Sequence, residues 1–209
     1  MQDREKPNKG APTVSRRAFL KGSGVAVAAT AMATSGQEAD AQKKGSKKRV
    51  VAASGGKVTL NVNGKDYTIT VEPRVTLLDA LRDDLGFTGC KDVDDTTTSG
   101  ADTVIIDGKA VLAGSRLAVE CQGKKIQTVE SLANGKQVDE VISGFVKHDA
   151  MQCGFCTPGF AMATRAFLNK NPKASLKQIR KGLGGNLCRC GTYDGITKCA
   201  LELAKKGDS

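Results

Sequence analysis

The sequence predicts an α+β fold, with strands in its first half and helices in its second. From Lys57 onward, apolar residues alternate with polar ones, a period typical of half-buried strands. From Val138 onward, apolar residues recur every three or four positions, which is the spacing of one helix face. Four of the seven cysteines lie in two tight pairs within this helical half, and they indicate a ligand site there.

The strand-rich half is expected to begin with a hairpin. Two alternating runs flank Asn63-Gly64, a strong signal for a two-residue turn. Thr76 is expected to cap a helix that Gly86 ends. Residues 87–102 are predicted to form a polar loop, and further strands are expected at 103–106, 111–119 and 126–129. The inward positions of the hairpin are Val58, Leu60, Val62, Tyr67, Ile69 and Val71.

Four helices are predicted in the second half. The first carries the apolar residues from Val138 to Val146, and the second opens near Thr157-Pro158. Ser175 is expected to cap the third, and the fourth follows the last cysteine pair. The change of period near residues 131–136 places a β-rich domain at 56–133 and a helical domain at 134–207.

Residues 1–41 have the pattern of an export signal. The segment 15–21 contains Arg16-Arg17 and precedes a small-residue apolar stretch, 22–33, that is too short to span a bilayer. Small residues at 31–33 and 39–41 fit cleavage sites. The pattern resembles a twin-arginine signal, with an ordinary secretory signal as the alternative. It implies recognition by the twin-arginine machinery, export of a folded and cofactor-loaded chain, and a periplasmic location.

The net charge of +10 depends strongly on a basic segment at residues 42–55. Its run of five cations, at 43, 44, 47, 48 and 49, could bind nucleic acid. No aromatic side chains interleave with the run to stack on bases, so a solvated linker is the preferred interpretation and no nucleic-acid partner is expected. Trp is absent and aromatics make up 4%, which argues against a wide aromatic-lined pocket in this chain.

The two cysteine pairs differ in spacing. Cys153 and Cys156 are separated by two residues, and Cys188 and Cys190 by one. Four cysteines suit either Zn²⁺ or an iron–sulfur cluster. Because zinc pairs usually have two to four intervening residues, the second pair favours a cluster. Zinc and two disulfides are the alternatives, although a bond between Cys188 and Cys190 would be strained.

Two segments carry a resemblance to a known family. Residues 152–159, with the sequence Gln-Cys-Gly-Phe-Cys-Thr-Pro-Gly, and residues 185–193, with Gly-Asn-Leu-Cys-Arg-Cys-Gly-Thr-Tyr, resemble the iron–sulfur subunit of the molybdenum hydroxylases. That family includes xanthine dehydrogenase, aldehyde oxidoreductase and isoquinoline oxidoreductase. The similarity covers roughly residues 57–206. It implies a ferredoxin-like β-grasp domain with a plant-type [2Fe–2S] cluster, followed by a four-helix bundle with a second [2Fe–2S] cluster.

The resemblance also implies roles for individual residues. The second cluster would be held by Cys153, Cys156, Cys188 and Cys190. Gln152 would contact the molybdopterin, which belongs to a large partner subunit. That subunit would oxidise an aldehyde or an N-heterocycle, and this chain would carry the electrons onward to an acceptor such as a periplasmic cytochrome. The alternative function is a non-redox structural or maturation partner that keeps a four-cysteine metal site.

The chain departs from the family where the plant-type cluster would be bound. The expected ligand positions hold Asp94, Ser99, Asp102 and, at about the fourth position, Gly114. Oxygen ligands suit iron–sulfide poorly, so this cluster is expected to be absent. Three further interpretations concern the segment: Cys90 and Cys121 as unusual ligands, a hard cation on the acids of the loop, or an emptied soluble loop, which is preferred. The acids are Asp92, Asp94, Asp95 and Asp102.

Three remaining residues are predicted to be structural. Cys121 and Cys199 are expected to be buried as small apolar residues. His148, the one histidine of the sequence, is expected to be a hydrogen-bonded structural residue and not a ligand.

Overall fold

The computed structural model describes Ser15, Arg17 and residues 52–94, 96–135 and 137–206, without the side chains of residues 134 and 206. The predicted export signal and basic linker therefore lie almost entirely outside the described residues, as does Asp95. Residues 52–206 belong to one compact unit, Arg49–Ser209. Among the residues described, no helix is both long and apolar enough to cross a membrane.

A five-stranded mixed sheet forms the first half. Its spatial order is β2-β1-β5-β3-β4, in which β1 and β5 are parallel and the other neighbours are antiparallel. With the helices described below, the sheet confirms the predicted α+β class. The strands are β1 Gly56–Val62, β2 Lys65–Val71, β3 Thr103–Ile106, β4 Lys109–Leu112 and β5 Lys125–Gln127.

The predicted hairpin between β1 and β2 is confirmed. Asn63 and Gly64 have φ angles of 53° and 82°, and Val62 pairs directly with Lys65. Two consecutive left-handed residues give the turn whose twist matches that of the flanking strands, and Asn-Gly is the residue pair that adopts it most readily. The register turns Val58, Leu60 and Val62 to the core, where all three are buried.

The helix predicted after Thr76 begins as expected and then changes type. Thr76 and Asp79 form a reciprocal capping box at the start of α1, Leu77–Asp79. The helix continues as a π-helix over Ala80–Asp84, where the N–H of Leu85 donates to the carbonyl of Ala80. The apolar pattern in the sequence does not predict this π-helix, because its wider turn matches neither the period of an α-helix nor that of a strand.

The strand predicted at 111–119 was wrong beyond Leu112. The chain there enters short 3₁₀ turns at Ala113–Ser115 and Ala118–Cys121. The backbone N–H groups of Ala113 and Gly114 donate to the carbonyl and carboxylate of Asp102, which pulls the chain away from the sheet. Apolar residues continue to position 119 in the sequence, but these long-range hydrogen bonds end the strand at Leu112.

Four helices follow a small antiparallel ribbon, β6 Ala133–Asn134 and β7 Gln137–Val138. Their number agrees with the prediction, although Val138 lies in β7 and not in the first helix of this group. Asp139 caps α2, and Ser175 with Gln178 forms a capping box at α4, as Ser175 was expected to do. The helices are α2 Glu140–Lys147, α3 Thr157–Lys170, α4 Leu176–Gly182 and α5 Tyr193–Lys206.

Buried apolar side chains form two clusters. The first lies between the sheet and α1 and includes Leu60, Leu81 and Ile126. The second lies among the helices and includes Phe145, Phe160 and Ile196, with Ile105 of β3 joining it. The division of the chain at residue 133 or 134 remains a prediction.

The two halves meet closely around Gly100. A Cβ atom on Gly159, in the first turn of α3, would lie 2.2 Å from the Gly100 carbonyl oxygen, so only glycine permits this approach. The buried side chain of Asn186 donates to the same carbonyl at 2.8 Å, and the N–H of Leu187 donates to the carbonyl of Ser99 at 2.8 Å. The loop before β3 is therefore fixed to both α3 and the segment after α4.

The prediction for His148 is confirmed. Its Nε2 atom lies 2.6 Å from a carboxylate oxygen of Glu202 on α5, and Lys147 donates to the same carboxylate at 2.8 Å. Hydrogen bonds from Lys147 and then from His148 lower the pKa of Glu202. His148 thus joins the end of α2 to α5 and serves the packing of the helices.

Replacing Phe145 by Ala is expected to lower the free energy of unfolding by about 3–5 kcal/mol, because the ring is fully buried between helices and leaves a cavity. Denaturant titration measures the change. Val146→Ala is the matched control, since its side chain is 68% exposed on the same helix and should change stability by about 0.5 kcal/mol or less. Equal losses in the two variants would contradict the assigned faces of α2.

Candidate metal centre

The first cysteine pair lies in the loop between α2 and α3. Gly154 has a φ of 80°, a left-handed conformation that lets the chain turn between Cys153 and Cys156. Cys156 occupies the residue before α3, and Pro158 stands in the first turn, where its missing N–H leaves no donor unpaired. Cys153 is exposed and Cys156 is half-buried.

The second pair lies in the loop between α4 and α5. The N–H of Cys188 donates to the hydroxyl of Tyr193 at 2.8 Å, and the Cys188 sulfur lies 3.1 Å from the hydroxyl of Thr192. Gly191 has a φ of 83°, which redirects the chain into α5 just after Cys190. Cys188 is buried and Cys190 is exposed.

The fold brings all four sulfurs together as two pairs that each span both loops. Cys153 and Cys190 lie close enough to shift each other's pKa, and Cys156 and Cys188 do the same. The two pairs also interact, because the charge of Cys188 acts on Cys153 and that of Cys153 acts on Cys156. The pairs in space therefore differ from the pairs in the sequence, because each spatial pair takes one cysteine from each loop.

The pKa values within the buried pair move in opposite directions. Burial raises the pKa of Cys188, but hydrogen bonds from Thr192 and from the Cys156 thiol outweigh it and lower the pKa to about 7. Burial and then the neighbouring Cys188 sulfur raise the pKa of Cys156 to about 12. One proton is thus shared between the two sulfurs. All four sulfurs can be thiolates together only when positive charge offsets their repulsion, which is what a metal centre supplies.

The donor set fits an iron–sulfur cluster better than a single ion. Four soft thiolates suit zinc or iron–sulfide. Zinc pairs usually have two to four intervening residues, whereas a single residue separates Cys188 from Cys190. The spacing of the second pair therefore favours the cluster.

Comparison with known proteins agrees with this donor set. Residues 128–201 match the model of the [2Fe-2S] binding domain. The chain is 39% identical over 145 residues to the nicotine 6-hydroxylase small subunit of Paenarthrobacter nicotinovorans, covering 69% of this chain and 87% of that one. The chain belongs to the iron–sulfur subunits of the molybdenum hydroxylase family.

Two further members show how far the likeness extends. The nicotinate dehydrogenase small FeS subunit of Eubacterium barkeri is 38% identical over 136 residues, covering 65% of this chain and 87% of that one. The structure of quinoline 2-oxidoreductase from Pseudomonas putida 86 superposes with a TM-score of 0.67 at 37% identity, covering 75% of this chain and 99% of the matched chain. The likeness to iron–sulfur subunits therefore spans both the sheet and the helices.

In this iron–sulfur subunit, the residues at the positions expected for first-cluster ligands form hydrogen bonds within their own loop. One carboxylate oxygen of Asp94 accepts hydrogen bonds from the N–H and hydroxyl of Thr98 and from the N–H of Ser99. One oxygen of Asp102 accepts from the N–H of Gly114 at 2.8 Å. Asp94 and Asp102, at two of the positions where the sequence led us to expect first-cluster ligands, thus bind backbone groups of the loop.

The space beside Gly114 is already filled. A Cβ atom at this position would lie 2.4 Å from the methyl group of Thr97 and 3.2 Å from the Asp102 carboxylate. A cysteine side chain would therefore displace Thr97 before its sulfur could reach a cluster. The iron–sulfur subunit has packed this site with protein atoms.

The remaining thiols are buried apart from the four-cysteine centre. Cys90 donates its S–H to the carbonyl of Asp102 at 3.2 Å, and burial is the main reason that its pKa rises to about 12. Burial also raises the pKa of Cys121. Cys199 packs between helices, with its sulfur 3.8 Å from the carbonyl of Val141. Such thiols remain protonated and pack as small apolar groups.

The sequence motif at 185–193 includes three residues that shape the site, but sequence reasoning assigned them no role. Asn186 anchors the second cysteine loop to Gly100, and Thr192 and Tyr193 hydrogen-bond to Cys188. Asn186 has no local signal, since its partner lies 86 positions away. Gln152 was assigned by resemblance; it is exposed beside Cys153, and its role remains a prediction.

Asp102→Asn is expected to change the pH dependence of stability. Burial raises the pKa of Asp102, so the unfolded chain loses this proton first as the pH rises. The wild-type free energy of unfolding should therefore fall between the unfolded pKa and the raised folded pKa, whereas the asparagine variant should not show this loss. Denaturant titrations that start at about pH 4, the ordinary pKa of an aspartate, and continue to higher pH measure the difference. A difference between the two proteins that stays constant with pH would contradict a raised pKa of Asp102.

Proposed function

We propose that Cys153, Cys156, Cys188 and Cys190 bind one [2Fe–2S] cluster, and that this chain is the electron-transfer subunit of a molybdopterin-dependent oxidoreductase. The observation that carries the proposal is the meeting of four thiols as two pairs that shift each other's pKa, within the segment that matches the [2Fe-2S] binding domain. In this proposal, Cys153 and Cys190 bind one iron, and Cys156 and Cys188 bind the other.

The chain's own residues hold and surround the cluster. When bound, a [2Fe–2S] cluster supplies one-electron transfer. The N–H of Phe155 hydrogen-bonds to the sulfur of Cys153, which stabilises negative charge there. The hydrogen bond from the Cys188 N–H to Tyr193 holds the second loop against the start of α5. These contacts keep the four ligands in position without the chain taking part in bond chemistry.

The partner is proposed to be a large subunit that carries molybdopterin and oxidises an aldehyde or an N-heterocycle. Gln152 would contact the pterin from its exposed position next to Cys153. The exposed apolar side chains of Met151, Phe155 and Leu187 surround the cysteine loops and suit burial in a subunit interface. The finer domain arrangement, a β-grasp domain at 56–133 and a four-helix cluster-binding bundle at 134–207, belongs to the same proposal.

The electron path is proposed to use a single cluster in this chain. Support comes from Asp102 and Thr97, which occupy the space and the hydrogen bonds around Gly114 at the aligned first site. An acceptor, such as a periplasmic cytochrome, would then have to approach the remaining cluster. The contacts of Ser99 and Gly100 with the segment around Asn186 bring the emptied loop next to the cysteine centre.

Protein purified without air is expected to contain about two irons and two acid-labile sulfides per chain. Cys188→Ser should lose most of both and of the visible absorption, because it removes one of the four thiolates. Cys90→Ser and Cys121→Ser are the matched controls, since these buried thiols lie outside the centre, and both should keep the cluster. About four irons, with a large loss in the Cys90 variant, would contradict the single-cluster assignment.

The second candidate function is a non-redox structural or maturation partner. The filled first site favours it, because a protein that has lost one cluster has already lost part of an electron path. This candidate predicts a colourless protein with about one zinc per chain and no sulfide. Metal analysis of the same preparations therefore distinguishes the two functions, and zinc without sulfide would exclude electron transfer.

We propose further that the chain is exported to the periplasm by the twin-arginine machinery. Support comes from Arg16-Arg17, the short apolar stretch after them and the need to export a loaded cofactor in a folded chain. Replacing both arginines by lysine should retain the chain in the cytoplasm, because the machinery recognises the arginine pair. Cell fractionation measures this, with Arg4→Lys as the control outside the motif; wild-type export of the double variant would contradict the proposal.

A further inference from the structure

The hydroxyl of Thr192 lies on the sulfur of Cys188. The two atoms are 3.1 Å apart, and the backbone N–H of Thr192 also hydrogen-bonds to this sulfur. The carbonyl of Thr192 accepts the N–H of Ile196, so the residue occupies the start of α5 and its backbone is held by the helix. A threonine at this position usually turns its hydroxyl to a backbone N–H of the first turn. Here the hydroxyl contacts the sulfur.

The direction of this hydrogen bond follows from the ligand role of Cys188. A cysteine that binds iron is a thiolate and has no proton to donate. The Thr192 hydroxyl must therefore donate, and it must place its positive end against the sulfur. The hydrogen bonds that act on Cys153 and Cys156 come from backbone N–H groups and other cysteines. The side-chain hydroxyl thus distinguishes Cys188 from these two ligands.

We propose that Thr192 raises the reduction potential of the cluster by donating its hydroxyl hydrogen bond to the sulfur of Cys188. The inference rests on the proposed cluster function. Reduction adds one electron to the cluster and increases the negative charge on its sulfur ligands, so a donor at a ligand stabilises the reduced state more than the oxidised state. Thr192 is a positioning residue that acts on the cluster through Cys188.

The test compares three variants of the purified, cluster-loaded chain by spectroelectrochemical titration. Thr192→Val keeps the shape of the side chain and removes the hydroxyl. It should lower the equilibrium constant for reduction about tenfold, or about 59 mV for a one-electron couple. Thr192→Ser keeps a hydroxyl and should stay near the wild-type value. Thr197→Val is the matched control, because that hydroxyl lies on the same helix but donates to the carbonyl of Tyr193.

Iron and sulfide content separates the failure of this inference from the failure of the proposed function. A wild-type chain without iron or sulfide overturns the cluster assignment itself. A loaded Thr192→Val chain with an unchanged potential overturns the role of Thr192 alone, and so does an equal decrease in Thr192→Ser or Thr197→Val. Should the valine variant not load, Thr192→Ala replaces it, with the same expected decrease. An independent check is the magnetic resonance spectrum of the reduced cluster. Thr192→Val should lose one exchangeable-proton coupling, because it removes the hydroxyl proton of Thr192.

Discussion

The close contact between the backbone at Gly100 and the elements that carry the cysteines is the constraint on which the rest of the structure depends. Gly159 allows the first turn of α3 to touch the Gly100 carbonyl, and Asn186 binds the same carbonyl from the second cysteine loop. Because Cys156 immediately precedes α3 and Cys188 lies two residues after Asn186, this one carbonyl sets the separation of the two loops. The Gly100 carbonyl also accepts hydrogen bonds from the N–H and the hydroxyl of Thr103, at 3.2 and 2.6 Å, so its position is fixed from β3 as well.

The contacts at Gly100 fix where the cysteine loops lie, and the four thiols add an electrostatic requirement, because thiolates this close together repel one another. Burial and the neighbouring Cys188 sulfur raise the pKa of Cys156 to about 12, so this thiol keeps its proton at neutral pH. Binding of iron and sulfide at Cys156 would release that proton, so cluster assembly and proton release would be coupled. Gly154 and Gly191 adopt left-handed backbone conformations in the two loops, and residues with a Cβ would adopt them only with strain.

Local signals predicted most of the fold and much of the candidate site. Asn63-Gly64, Thr76 and Ser175 have short-range roles that depend on their own neighbours, and the structure contains each of them as expected. The end of β4 at Leu112 could not be predicted, because the N–H groups of Ala113 and Gly114 donate to Asp102, which lies eleven and twelve positions earlier, and these bonds redirect the chain. At the centre, spacing identified the cysteines but not how they pair, since the pairing joins residues more than thirty positions apart. Thr192 was missed because a threonine before a helix is usually only a cap.

The filled loop around Gly114 has an evolutionary consequence. A cysteine at Gly114 would collide with Thr97, and a cysteine at Asp102 would remove the acceptor of the Gly114 N–H. Each single substitution toward a thiolate set would therefore cost stability, while a cluster would form only when the set is complete. Several residues would have to change together before the loop could hold a cluster, so selection for stability is expected to preserve the loop as it is.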